Sequence, residues 1–309
     1  MDIKISVVVT LYHSEKYVQE FYSRLKKSIL TLTQHYEIIF VNDGSLDGAN
    51  LAVLTLQQLD PRVVLVDLSR NFGHHQAIMC GLNQATGDYV FLIDVDLEED
   101  PELIIDFWKT MESNKDIDVV FGIQEERKGN LFEKISGTLF YRLLNAIAQF
   151  KYPANTFTAR LMNRKYVDSV LQYKEKAVDI WMIFVLVGFN QKAFSAKKKN
   201  KGSSTYTFIK KISMAIEIIT SSSHRPLYSI FIIGTLWLLL SAINVIIILI
   251  KKWGFGIPIE GWASIMASVW LIGGIIIFLI GVIGIYLSKV FLEIKDRPLS
   301  IIKNIYRKE

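Results

Sequence analysis

Cysteine is all but missing from this chain. Cys80 stands alone among 309 residues, which excludes an intrachain disulfide and any cysteine-based zinc site. Proline occurs six times and glycine eighteen, too few for collagen-like or Pro/Gly-rich disordered chains. An excess of one charge is lacking as well: 35 Lys and Arg face 30 Asp and Glu, too mild a surplus to argue for nucleic acid. No Gly-x-x-x-x-Gly-Lys-[Ser/Thr] P-loop occurs, and the only Gly-x-Gly, Gly254 with Gly256, opens no βαβ unit, which disfavours a dinucleotide oxidoreductase. His-Glu-x-x-His and Gly-x-Ser-x-Gly are absent too. Met1-Asp2 runs straight into a strand-like segment, so no signal peptide is read there.

Apolar residues are abundant, 51% against 21% charged, and they concentrate toward the C-terminus. Residues 227–250 and 261–288 form runs of 24 and 28 residues without a charge. Crossing a bilayer takes about 20 apolar residues, and core helices of such length normally keep a polar face. Two membrane spans are therefore expected, with Trp237, Trp262, Trp270 and Tyr286 as aromatic residues, some of them near the interfaces. The loop 251–260 makes them a hairpin. Nine Lys and Arg lie in the flanks 207–226 and 289–308 against two in the loop, Lys251 and Lys252, so the positive-inside rule puts the large N-terminal part and both termini in the cytoplasm. Within 205–220, Phe208, Ile212, Ala215, Ile216 and Ile219 recur at helical spacing, as an amphipathic helix lying on the membrane would require. The basic run Lys197, Lys198, Lys199, Lys201 precedes it and suits anionic headgroups. Phe291, Ile294, Ile301, Ile302 and Ile305 suggest a second surface helix, interrupted at Pro298. The expected division is a soluble domain at 1–202, a juxtamembrane helix at 203–226, spans at 227–250 and 261–288 around the 251–260 loop, and an amphipathic tail at 289–309.

The first 200 residues read as strand and helix in alternation. Strands are expected at 3–11, 38–41, 63–66, 89–93 and 119–121, from β-branched and apolar runs bounded by turn residues. Helices are expected at 14–31, with Ser14 as cap, and at 48–59, 74–84 and 101–113. Such alternation implies a mostly parallel sheet with helices on both faces. Ligands of such sheets bind beyond the carboxyl ends of the strands.

Those ends are acidic. Strand two ends at Asn42-Asp43-Gly44-Ser45 and strand four at Asp94-Val95-Asp96-Leu97-Glu98. Asp94, Asp96 and Glu98 alternate, so an extended segment would aim all three one way. Converging carboxylates resist ionisation unless a cation joins them. Mg2+ or Mn2+ would serve, taking oxygen ligands from the protein and the remainder from water and substrate phosphates. An isolated Asp-x-Asp is common as a solvated turn; its place at the end of a buried strand is what favours a metal. His74-His75 lacks a second ligand cluster and reads as a helix start or substrate loop.

These segments resemble a known family. Ser6-Val-Val-Val-Thr-Leu-Tyr-His-Ser-Glu15, Val41-Asn-Asp-Gly-Ser-Leu-Asp-Gly48, Leu68-Ser-Arg-Asn-Phe-Gly73 and Gly87-Asp-Tyr-Val-Phe-Leu-Ile-Asp-Val-Asp-Leu97 look like the ordered motifs of family 2 glycosyltransferases. The branch most similar is that of dolichyl- and polyprenyl-phosphate sugar transferases, including the bacterial two-span type linked to O-antigen glucosylation. The resemblance implies a GT-A-like, Rossmann-type α/β domain that binds a nucleotide sugar, followed by the surface helix and two spans. It implies a metal-dependent, inverting transfer from a nucleotide diphosphate sugar to a polyprenyl phosphate, undecaprenyl phosphate in a bacterium, at the cytoplasmic membrane. The implied partners are donor, lipid acceptor and membrane, without nucleic acid and with homo-oligomerisation left open. Thr10, Tyr12, Ser14, Asp43, Asp94, Arg127 and Arg160 would line the donor site, Tyr12 and Asp43 at the base and ribose and Arg127 at the diphosphate. Asp94, Asp96 and Glu98 would hold Mg2+ or Mn2+, and Asp94 and Asp96 are the residues on which catalysis would depend.

Four positions depart from the family's pattern. Thr10 replaces a Pro, and Ser14 replaces the first Glu of Asn-Glu-Glu. Thr158, in Thr158-Ala-Arg-Leu-Met162, replaces an Asp often given a catalytic role. Glu98 stands where many relatives have Gln. A phosphate acceptor is already a nucleophile at neutral pH and needs little help from a base. Transfer to a glycan hydroxyl needs a positioned base, for which Asp179 is the remaining candidate. A non-catalytic membrane scaffold is the third reading, opposed by the intact Asp43, Asp94 and Asp96.

Overall fold

The computed structural model describes residues 3–124, 156–175, 179–197 and 261–308, with scattered helical positions between 227 and 250. The expected surface helix at 205–220, the basic residues from Lys198 onward, Arg127 and the loop 251–260 lie outside the described residues.

Strand β1 (Ile5–Leu11) is followed by α1 (Glu15–Ile29), β2 (Tyr36–Asn42), α2 (Ala49–Leu59), β3 (Val63–Leu68), α3 (His74–Gln84), β4 (Tyr89–Asp94), α4 (Leu103–Ser113) and β5 (Val119–Gln124). After these come β6 (Thr156–Asn163), α5 (Arg164–Val170), α6 (Ile180–Leu186), β7 (Gln191–Ala196), the long helix α7 (Trp262–Ile294) and β8 (Ile302–Tyr306). The eight strands form one sheet in the order β7-β5-β6-β4-β1-β2-β3-β8. β1 pairs in parallel with β2 and β4, β2 with β3, and β5 with β7, while β6 and β8 run antiparallel to their neighbours. The chain leaves β1 toward β2 and later returns to its other side at β4. The sheet's topological switch therefore lies at the carboxyl ends of β1 and β4, where such folds open a crevice.

β1, β2 and β3 are buried along their whole length, as their unbroken apolar runs imply. Val7, Val9, Phe40, Phe91 and Phe107 pack on one side of the sheet, and Val8, Ile39, Val41, Ile78, Leu92 and Tyr166 on the other. β2 begins two residues before the expected Ile38 because Glu37, despite its charge, belongs inside. Its Oε1 accepts from Ser6 Oγ at 2.7 Å, Thr86 Oγ1 at 2.7 Å and Thr86 N at 2.8 Å.

A second buried carboxylate ties α1 to β2 and β3. Asp60 accepts from Tyr22 Oη at 2.9 Å, Tyr36 Oη at 3.1 Å and Arg62 Nε at 2.8 Å, with Lys26 Nζ at 3.0 Å. Burial alone would raise its pKa, but the bonds from Arg62, Lys26 and Tyr22 outweigh that and hold it well below the usual carboxylate range. A depressed native pKa stabilises the fold above the unfolded value of about 4, and that stabilisation is lost as pH falls further. Asp60→Ala is expected to cost on the order of 3 kcal/mol at neutral pH, since it strands two buried hydroxyls and two cations. The penalty should shrink as pH falls below about 4, where the unfolded chain's carboxylate takes up a proton while the native one stays ionised. Urea unfolding of both proteins at pH 7 and pH 3 checks this; an equal penalty at both would reject the role.

The C-terminal residues differ from the expected surface helix. Asp296 adopts φ +45° and Pro298 follows, which ends the helix. Ile302–Tyr306 is then a strand on the β3 edge, with Val66 opposite Ile305 and Ser69 N donating to Ile301 O at 2.9 Å. Gln57 Nε2 donates to Tyr306 O at 2.7 Å. The described residues from Arg297 on thus group with the N-terminal fold, and the described residues from 227 to 296 belong to a second unit.

In that second unit, the described positions between 227 and 250 are helical. Among the described residues one helix is long and apolar enough to cross a bilayer, Ser268–Ile294, and no part of its most apolar stretch is buried in the protein. The 33 residues of α7 span about 50 Å, more than the roughly 30 Å hydrocarbon layer. The helix runs past the expected end of the span at Ser288, carrying Lys289 and Glu293 with it.

Candidate active site

The carboxyl ends of β1 and β4 bring Thr10 and Asp94 level, as partners in the strand register. β6 adds a third residue. Arg160 pairs with Leu92, so Thr158, two residues earlier on an antiparallel strand, comes level with Asp94. Thr158 Oγ1 donates to Asp94 Oδ2 at 2.6 Å and Thr10 Oγ1 to Asp94 Oδ1 at 3.2 Å. His74, the first residue of α3, completes the cluster: its Nε2 lies 3.6 Å from Asp94 Oδ1 and its Nδ1 3.3 Å from Thr10 Oγ1.

The expected alternation of Asp94, Asp96 and Glu98 does not hold. β4 stops at Asp94, residues 95–99 form a turn, and Leu97 takes φ +62°. The turn is closed by the Glu98 amide, which donates to Asp96 Oδ1 at 3.0 Å. Among the described residues no group of three His, Cys, Asp or Glu side chains is gathered to hold a metal. Three partly buried carboxylates, Asp94, Asp96 and Glu98, follow one another at the end of β4. Their hard oxygen donors suit Mg2+ or Mn2+, ions that draw their other ligands from water and phosphate.

Asp43 is buried and spans to the loop after β3: Oδ1 accepts from Phe72 N at 2.7 Å and Oδ2 from Gly73 N at 3.0 Å. It therefore anchors the loop that delivers His74. The loop passes close over Gly44, which has φ +64°; a Cβ there would sit 2.3 Å from Asn71 N, so only glycine fits. Tyr12 is exposed at the mouth of the site, edge-on to His13 at 4.4 Å between ring centroids. Ser14 caps α1 by position but not by a side-chain bond, and its buried Oγ has no hydrogen-bond partner among the described residues. Asp179, the carboxylate named as an alternative base, caps α6 through one oxygen, accepting from Trp181 N at 3.2 Å.

One residue of the site escaped the sequence reading. Glu99 is 1% exposed, and its two oxygens accept from Thr158 N at 3.0 Å and Ala159 N at 2.7 Å, fixing β6 beside the β4 end. Arg160, expected at the donor site, is also buried, its guanidinium 3.6 Å from the Phe184 ring centroid and 5.0 Å from that of Trp181. Burial lowers its pKa to about 10, with Tyr166 and Glu99 opposing, so it stays charged at neutral pH. A cavity of about 20 Å³ lies against it, lined also by Phe121, Thr156, Trp181 and Gln191. That is room for a water molecule.

The sequence profile of glycosyl transferase family 2 matches residues 6–171. A Mycobacterium tuberculosis protein with a glycosyltransferase name is 42% identical over 304 residues, 98% of this chain and 89% of that one. The SfII prophage-derived bactoprenol glucosyl transferase of Shigella flexneri is 31% identical over 307 residues, 99% of each chain. Among solved structures, glucosyl-3-phosphoglycerate synthase from Mycobacterium tuberculosis superposes with a TM-score of 0.50 at 14% identity, over 71% of this chain and 78% of that one. That likeness is one of fold.

Proposed function

The chain belongs to glycosyl transferase family 2, and from that premise we propose that it transfers a sugar, with inversion, from a nucleotide diphosphate sugar to a polyprenyl phosphate at the cytoplasmic face of a membrane. One observation carries the acceptor: the similarity to a bactoprenol glucosyl transferase runs through 99% of both chains, apolar C-terminal region included. The site's chemistry supports it. Thr158 replaces a family carboxylate, and its hydroxyl is committed to Asp94. A hydroxyl acceptor would need a base that Thr158 does not supply. A phosphate monoester, with its second pKa near 6, is already an anionic nucleophile.

In this reading the donor lies across the β1 and β4 ends. Tyr12 and Asp43 sit on the base and ribose side, and Ser14 Oγ offers a buried hydroxyl awaiting a partner. Asp94 and Asp96 would hold a Mg2+ or Mn2+ ion, which when bound neutralises charge on the departing diphosphate. Arg127 and Arg160 add fixed positive charge. Arg160 has its desolvation already spent in the fold, so it acts on nearby anions with little screening. The runs 227–250 and 261–288 would be two spans, with both ends and the catalytic domain cytoplasmic.

Acceptors of equal chain length separate phosphate from hydroxyl. The purified protein should glycosylate a short polyprenyl phosphate and leave the matching polyprenol untouched. Comparable turnover of the alcohol would remove the phosphate from the account.

A further inference from the structure

Two of the places where this chain departs from its family's pattern end on the same carboxylate. Thr10 stands where a Pro is usual and Thr158 where an Asp is usual, on strands that flank β4 from opposite sides. Their hydroxyls reach different oxygens of Asp94, Oδ2 at 2.6 Å from Thr158 and Oδ1 at 3.2 Å from Thr10. A proline at position 10 would offer no donor. An aspartate at position 158, on the backbone that Glu99 fixes, would bring a second carboxylate against the first.

We propose that Thr10 and Thr158 are a matched pair of positioning residues that fix Asp94 for the nucleotide sugar, in place of the proline and second carboxylate of relatives. The inference rests on Asp94 serving the donor site. A carboxylate gripped at both oxygens keeps one rotamer, so the donor meets a preset acceptor of hydrogen bonds or ligand to its cation. The pair acts through Asp94, with Thr10 Oγ1 lying also 3.3 Å from His74 Nδ1.

The test uses the full-length protein in detergent, with UDP and GDP, each with Mn2+, as probes of the donor site by calorimetry. Whichever nucleotide binds the native protein defines the reference. Thr158→Val should weaken it roughly tenfold, the scale of one lost hydrogen bond to a charged group. Thr158→Ser should restore binding to within about threefold of the native protein, because it returns the hydroxyl. In an Asp94→Ala background, Thr158→Val should change affinity less than about twofold, since the carboxylate it acts on is gone. Thr10→Val should behave likewise. Equal losses with and without the Asp94 charge, or no rescue by serine, would overturn the proposal. Melting temperatures within a few degrees of the native protein show that each variant folds. If the lipid phosphate reading fails while these binding results hold, the positioning role stands without it.

Discussion

Asp94→Asn is expected to lower sugar transfer by two to three orders of magnitude, about the loss seen when one preorganised electrostatic contact is removed from a transition state. Asn keeps the shape, and its amide oxygen can still accept from the Thr158 hydroxyl 2.6 Å away in the native protein, so folding should be spared. The loss should appear as a lower kcat and weaker response to Mn2+, with polyprenyl phosphate KM little changed. Steady-state transfer assays across a Mn2+ titration check this. Activity within fivefold of the native protein would take Asp94 out of the reaction.

Glu99→Ala is expected to be the most damaging single change to the fold near the site. It would unpair two backbone amides on β6 and remove the negative charge nearest in effect to the buried Arg160. Breaking a buried charged arrangement from one side costs about 3–5 kcal/mol, which for a domain of some 200 residues is roughly 6–20 °C in melting temperature. Transfer should fall as well, because Thr158 depends on the same strand. Glu99→Gln, which keeps one acceptor, should lie between the two. Differential scanning calorimetry of the three proteins measures it; a shift under 2 °C for alanine would mean β6 is held by its pairing alone.

The strands and helices of the first half were legible in the sequence because each carries its own signal. β1 to β4 are continuous apolar runs, and α1 to α4 have apolar stripes bounded by turn residues. β6 was harder to read, since its signal is interrupted by Arg160, whose burial depends on rings contributed by α6. β7 alternates between exposed and half-buried residues, as an edge strand does, and its local pattern is weak. β8 misled outright. Ile301, Ile302 and Ile305 fit a helical stripe as well as a strand, and only the β3 edge, more than two hundred residues away in sequence, decides between them.

The site was legible in parts for the same reason. Asp94 and Thr10 end strands, and strand ends meet at a switch point by topology. The placement of Asp96 and Glu98 hung on whether residues 95–99 stay extended, and a single left-handed residue, Leu97, bends them. The loop-anchoring role of Asp43 depends on the turn that Gly44 permits. Glu99 was invisible because its partners are main-chain amides of another strand, which leave no mark on the sequence.

The central claim is the product. Membranes containing the protein, incubated with a panel of radiolabelled nucleotide sugars and Mn2+, should yield label from one donor in the organic phase, as a sugar joined to polyprenyl phosphate. That label should be absent when EDTA replaces the metal and in the Asp94→Asn protein. Label recovered only in water-soluble sugar or in glycan, with none on lipid, would contradict the account.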